Sequence, residues 1–259
     1  MKLLLLTGGL ALFTLVSVEQ EIEIGRSTQQ QVRRQMTTLD DAQVTGYVRA
    51  VGTRLVTHAP GPKYPYSFTV ANNREINAFA LPGGPIWLNR GVIEASANES
   101  QVAGVLAHEI AHVAQRHAAS QLTKAVIANW GLGLLGAFLG NSGGAGTAQV
   151  AASLLTNGAF LKFNRADEAD ADKVGLQILR RAGWDGRGMI ELFETLRRTA
   201  NHDPAAVETF FSSHPSPRDR IEQLRAAAEA GKGTRDSRDF QMIRARTVKL
   251  PPPATQPRR

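Results

Sequence analysis

Five consecutive residues, His108-Glu109-Ile110-Ala111-His112, place two imidazoles and a carboxylate at a spacing suited to metal-assisted hydrolysis. Residues four apart lie one turn apart on one helix face, so both imidazoles can reach a single metal ion. Glu109 points off that axis and can sit beside a metal-activated water. A metal lowers the pKa of such a water towards about 7, which lets a carboxylate take its proton. The competing reading is two surface histidines on an amphipathic helix; with 6 His and 13 Glu in the chain, a chance match would appear in roughly one such sequence in a hundred.

The third ligand separates subclasses. One arrangement needs a Gly three residues after the second His and a His six after it. Those positions hold Gln115 and Ala118, so it fails. His117 lies nine residues from His108, about 180° round a continuous helix, and reads as a surface residue. The acidic run Asp167-Glu168-Ala169-Asp170-Ala171-Asp172 remains. Glu168 and Asp172 are i, i+4 partners on one face. Glu168 then reads as the third ligand, and Asp172 as the acceptor of a ligand imidazole's other N–H. The alternative for these acids is a first turn favoured by the helix dipole, the reading given to Asp167 and Asp170. Gly104 and Gly175 stand one turn from His108 and on the Asp172 face. Glycine inside a helix costs about 1 kcal/mol relative to Ala, so the pair predicts a close approach of the two helices. Ser213-His214-Pro215 precedes a Pro-initiated helix, and spacing alone gives His214 no catalytic role. His58 and His202 read as surface.

The elements that must position these groups follow from periodicity. Residues 19–58 read as helical. Tyr66–Val70 reads as a strand, and Ile76–Leu81 and Ile86–Leu88 as short strands around the turn Pro82-Gly83-Gly84-Pro85. Asn98 and Gln101 resemble a capping box opening a helix from Glu99 past His117. Further helices are predicted over Arg165–Ala182, Gly188–Thr199 and Ser216–Ala230. The class is α+β: mostly helical, with a small β-sheet or hairpin beside the helix that carries the two histidines.

The 259 residues contain no cysteine, which excludes disulfides, thiolate metal sites, a cysteine nucleophile and a lipid-anchoring cysteine. Net charge is +7, but residues 231–259 carry eight cations against two acids, so the surplus lies in the tail. That tail, residues 233–259, ends in four prolines and reads as basic, Pro-rich and disordered. No recognition motif accompanies the charge, so no nucleic-acid partner is expected. Lys2 followed by the apolar run Leu3–Val18 predicts a signal peptide or N-terminal anchor over residues 1–18. The organised domain is expected over residues 19–232. Residues 125–161 carry no charge at all. They read as a buried helical hairpin or, alternatively, as a membrane-touching or substrate-binding lid. Membrane contact is thus expected through residues 3–18 or 125–161. Gly131-Leu132-Gly133-Leu134-Leu135-Gly136 matches a dinucleotide fingerprint, but it follows no strand and carries no such assignment.

Four stretches in this order resemble a known family: His108–His112, Arg165–Asp172, Asn77–Gly84 and Ser213-His214-Pro215. They are similar to the gluzincin metalloproteases of the HtpX heat-shock and CAAX prenyl protease family, in its periplasmic BepA- and LoiP-like branch. The resemblance covers roughly Glu19 to Arg246. It implies one Zn2+ per chain held by His108, His112 and Glu168, with Glu109 as general base and Asp172 behind a ligand. It places His214 near the metal, as oxyanion stabiliser or as a fourth, blocking ligand. It makes Asn77–Gly84 an edge strand and turn where substrate pairs, with Asn77, Phe79, Ala80 and Gly83 as contacts. Two departures bear on the branch: lipoprotein members carry a cysteine, and BepA-like members carry a C-terminal helical-repeat domain. Both point to a single-domain protease, exported to the periplasm or tethered to face it. The implied function is zinc-dependent hydrolysis of unfolded or misfolded envelope proteins. The alternative is a metal-stabilised, chaperone-like binding module with little proteolysis.

Overall fold

The computed structural model describes residue 14 and residues 16–124, 162–214, 218–227 and 232–251. The readings given to residues 1–13, to 125–161 and to the Ser216-Pro217 cap lie outside the described residues.

Helix α1 (Val18–Gln35) opens with a capping box between Ser17 and Gln20. Helix α2 (Ala42–Val56) is capped by Asp41, which accepts from the amides of Gln43 and Val44. The expected helical stretch over 19–58 is therefore two helices. Between them the β-branched pair Thr37-Thr38 takes extended backbone and pairs with the next strand's end: Leu39 N–H donates to Val70 O, and Asn72 N–H to Thr37 O. Strands β1 (Ser67–Ala71), β2 (Ala78–Ala80) and β3 (Pro85–Asn89) form one sheet in the order β1-β3-β2. β1 runs parallel to β3 and β2 antiparallel to it. The β2–β3 turn holds Gly83 at φ 70° and Gly84 at φ 122°, where a side chain would be strained.

Helix α3 (Arg90–Ala95) leads to α4 (Glu99–Ala114), whose cap Asn98 accepts from Gln101 N–H; the expected box is half made, because Gln101 Oε1 accepts from Ala97 N–H rather than from Asn98. Every residue of α4 is buried. Its neighbours are α2, β2, α5 (Arg165–Arg181) and α6 (Arg187–His202). A 3-10 turn (Pro204–Val207), α7 (Glu208–Ser213), α8 (Arg218–Ala227) and α9 (Arg238–Lys249) complete the described elements. The class is the expected α+β.

Glycine and alanine bring the helices together. A Cβ on Gly175 would stand 3.1 Å from the Cα of His108, so α5 lies against the backbone of α4 at that residue, as its sequence position predicted. Gly104 serves a different neighbour: its missing Cβ faces the backbone of Met189 on α6, not α5.

Two expectations are corrected. The helix of Glu99 does not run past His117; it ends at Ala114, Arg116 takes φ 60°, and residues 117–124 start a new helical run. The tail is not disordered over Arg238–Lys249. There Ser237 caps α9, Phe240 is fully buried, and Arg246 binds the Asp41 carboxylate at 2.7 Å. Arg90, itself buried, donates to the carbonyls of Leu250 and Pro251 and so fixes the end of that helix. Among the tail cations, Arg235, Arg244 and Arg246 pack against Glu191, the Glu94 carbonyl and Asp41.

Two helical glycines give opposite expectations. Gly46 of α2 is exposed with nothing within 4 Å of an added Cβ, so Gly46→Ala should raise the unfolding free energy by about 0.5–1 kcal/mol. Gly25 of α1 would drive its Cβ to 1.8 Å from the Pro82 carbonyl, so Gly25→Ala should lower it by about 1 kcal/mol or more. Urea unfolding of the two variants checks both signs.

Candidate metal centre

The helical register of α4 turns His108 and His112 to one side, and their Nε2 atoms lie 3.0 Å apart. The Asn164 cap starts α5 so that Glu168 falls in its first turn, facing them. Glu168 Oε2 is 3.5 Å from His108 Nε2, and Oε1 is 3.5 Å from His112 Nε2. His214, just past α7, puts Nδ1 2.8 Å from Glu168 Oε1. One donor atom from each of the four lies within 4.8 Å of the others, and all four residues are buried. Metal–nitrogen bonds of 2.0–2.1 Å at tetrahedral angles set ligand nitrogens about 3.3 Å apart. The imidazole pair is close to that separation, and two nitrogens with a carboxylate are donors that suit zinc. The residues therefore fit the ion.

Glu109 stands beside this cluster, 3.7 Å from His214 Nε2 through Oε1. It is fully buried; the Ala80 amide faces it, and neither carboxylate oxygen makes a side-chain hydrogen bond. Burial pushes its pKa up, opposed by the charges of His214 and His108 and by the backbone amide of Ala80. Glu168 differs. Burial works against its charge as well, but His214, His108 and His112 together hold it well below the usual carboxylate range.

Asp172 lies on the far side of His108, its Oδ1 3.1 Å from His108 Nδ1. The residue that sequence reading missed is Arg220 of α8. Its Nε and Nη2 donate to Asp172 at 2.6 and 2.7 Å, and its Nη1 pairs with Glu168 Oε2 at 2.6 Å. Its guanidinium also lies 4.5 Å from the centre of the Phe193 ring. An arginine six residues after His214 carries no signal by itself; a basic first turn is unremarkable until the helix is docked.

Phe163 was also missed. Its ring stacks on His112 with centroids 3.9 Å apart. His117 is corrected from surface to core. The break at Arg116 swings it back so that its Nδ1 lies 2.9 Å from His112 Nδ1. Arg116 is held in that conformation by Glu21 of α1, whose Oε1 accepts from Nε at 2.6 Å, and by the carbonyl of Val16.

Of the residues expected to touch substrate, Ala80 and Gly83 border the centre. They line a 10 Å³ cavity shared with His112 and Phe163. Gly83 also abuts the backbone of Glu21 and Ile22. Phe79 turns to the opposite face and stacks parallel to Trp87. Asn77 is buried with its Oδ1 unpartnered. The β2 register decides what its edge offers. Leu81 N–H donates to Pro85 O and Asn89 N–H to Asn77 O, so residues 77, 79 and 81 bond to β3. The amides and carbonyls of Ala78 and Ala80 therefore point away from the sheet. The Ala80 amide then faces Glu109.

Residues 42–228 match the model of peptidase family M48. The chain is 35% identical over 241 residues to the beta-barrel assembly-enhancing protease of Escherichia coli K12, covering 90% of this chain and 49% of that protein. It is 31% identical over 180 residues to the mitochondrial metalloendopeptidase OMA1 of Schizosaccharomyces pombe, covering 70% and 52%. Against the metalloprotease YcaL of Escherichia coli K12, identity is 29% over 174 residues, covering 65% and 64%. The chain thus spans about half the length of the first two relatives.

Two outcomes follow from the charges. Removing Arg220 leaves two buried carboxylates less compensated, so Arg220→Met should destabilise the metal-free chain by about 3–5 kcal/mol in urea unfolding. For pH, burial lowers the His108 pKa, but Asp172 and Glu168 outweigh it and raise the value to about 9. Burial keeps His112 neutral. A metal needs neutral imidazole, so uptake must displace the His108 proton below that pH. Zinc affinity should then rise about tenfold per pH unit towards pH 9 and flatten above it, as read by chelator competition.

Proposed function

The chain belongs to peptidase family M48, and from that membership we propose a zinc metalloendopeptidase that hydrolyses misfolded cell-envelope proteins. The observation that carries the reading is Glu109: a fully buried carboxylate, with no side-chain hydrogen bond to either oxygen, beside a four-donor cluster. A metal that served stability alone would have no use for it.

His108, His112 and Glu168 are assigned to hold the ion. Zinc bound there supplies Lewis acidity that activates a water and polarises a peptide carbonyl. Glu109 takes the proton of the attacking water and carries it to the leaving amine. Its upward pKa shift suits both tasks, because a stronger acid would be a poorer base. His214 is assigned the charge developing on the carbonyl oxygen. In the resting chain it shares the donor cluster with Glu168.

Substrate is proposed to add as a strand to the free edge of β2, through the outward groups of Ala78 and Ala80. Such pairing needs an extended segment with unpaired backbone, which a misfolded chain offers and a folded one does not. Export to the periplasm, or tethering there by residues 1–18, is proposed from Lys2 and the apolar run that follows. Among the described residues no helix is long and apolar enough to cross a membrane.

The test pairs zinc content with cleavage of an unfolded protein. Glu109→Gln should keep one zinc per chain and lose about 100-fold or more of the cleavage rate. A variant that keeps zinc and cleaves like the wild type would remove the mechanism and favour a binding module.

A further inference from the structure

His112 is engaged at both ring nitrogens. Its Nε2 points into the donor cluster, 3.0 Å from His108 Nε2 and 3.5 Å from Glu168 Oε1. Its Nδ1 lies 2.9 Å from Nδ1 of His117. His117 in turn directs its Nε2 towards Asp170 Oδ2 at 3.5 Å, and the same oxygen accepts from Gln115 Nε2 at 2.7 Å. The sequence places His117 five residues beyond His112, about 140° round an unbroken helix. Only the left-handed Arg116 brings the two rings together.

A neutral imidazole carries one N–H, so the contact between the two Nδ1 atoms has two arrangements. In the first, His112 donates from Nδ1 and keeps its Nε2 lone pair for the cluster. His117 then carries its own proton on Nε2, facing the Asp170 carboxylate. In the second, His117 donates, which puts the His112 proton on Nε2, aimed at His108. That arrangement also sets the bare Nε2 of His117 against a carboxylate. Glu168 Oε1, 3.5 Å from His112 Nε2, would favour a proton there in the metal-free chain; a cation among the four donors would displace that proton, and charge then favours the first. The ring of Phe163 against the face of His112 leaves only the in-plane directions for these bonds.

We infer that His117 is the positioning residue of His112, and that Asp170, acting through His117, fixes His112 in the tautomer that binds metal. The two histidines of the cluster are thus supported differently. His108 faces a carboxylate directly, Asp172, whereas His112 reaches one through a second imidazole. The inference rests on reading His112 as a metal ligand.

The experiment uses the full chain and zinc alone. Chelator competition gives zinc affinity for the wild type, His112→Ala, His117→Leu, His117→Asn and Asp170→Asn. Melting of the metal-free proteins reports folding, and long-range proton–nitrogen correlation of the imidazoles reports tautomers in the zinc-loaded wild type. His117→Leu should bind zinc about 10- to 100-fold more weakly. His117→Asn, whose amide oxygen can replace the accepting nitrogen, should recover most of that loss, and Asp170→Asn should show a smaller one. The wild-type spectrum should show His112 protonated at Nδ1. Affinities of His117→Leu and Asp170→Asn within about twofold of wild type would overturn the inference, as would a His112 bound to zinc through Nδ1. If His117→Leu does not fold, His117→Asn and the wild-type spectrum decide. Wild-type affinity in His112→Ala would instead defeat the ligand reading itself.

Discussion

The structure depends on keeping a carboxylate charged where water does not reach it. Glu168 has no exposed surface, and an isolated charge in such a place costs several kcal/mol or more. The cost is offset by His108 and His112 from α4, His214 after α7 and Arg220 from α8. Three helices and a loop from distant parts of the chain therefore converge on one side chain. The metal-ready geometry and the packing of this part of the fold are the same arrangement. Displacing any of these groups would leave a buried charge with too few partners, which makes the arrangement rigid without any disulfide.

Such convergence needs helices that can approach closely. Ala103, Gly104, Ala107 and Ala111 keep α4 slim, so α5 and α6 lie near its backbone. The helix satisfies its own backbone hydrogen bonds, so burying all of it strands few polar groups. Beyond its polar first turn of Glu99, Ser100 and Gln101, what remains polar on it is chemical: His108, Glu109 and His112. The sheet contributes the opposite wall. β3 is buried throughout and protects β2 on one side, leaving the outward amide of Ala80 towards Glu109.

The ends of the described chain are tied to this core by buried ions. Glu21 of α1 joins Tyr64 and Arg116, and so holds the turn that follows the two histidines. Arg90 holds the carbonyls after α9. Each tie lets a terminal helix brace a segment far from it in sequence. Two cations of the C-terminal segment make such ties as well: Arg246 and Arg235 pair with Asp41 and Glu191.

Local chemistry was legible without a structure. The spacing of His108, Glu109 and His112 is set by 3.6 residues per turn, and the i, i+4 relation of Glu168 and Asp172 by the same number. The Asn98 cap, the glycines of the β2–β3 turn and the close approach at Gly175 follow from backbone sterics. Where one residue in an unusual conformation or one long-range contact decided the outcome, the sequence was silent or misleading. His117 looks like a surface residue until Arg116 breaks the helix. Residues 238–249 look disordered until Phe240 finds its pocket and the arginines find acids. Gly104 faces α6 rather than α5 because the second neighbour of α4 cannot be read from α4. Arg220 becomes essential only when α8 docks. The sequence by itself determined which side chains could share a helix face. The tertiary structure alone decided which faces meet, because burying a charge is favourable only where partners from other elements arrive together.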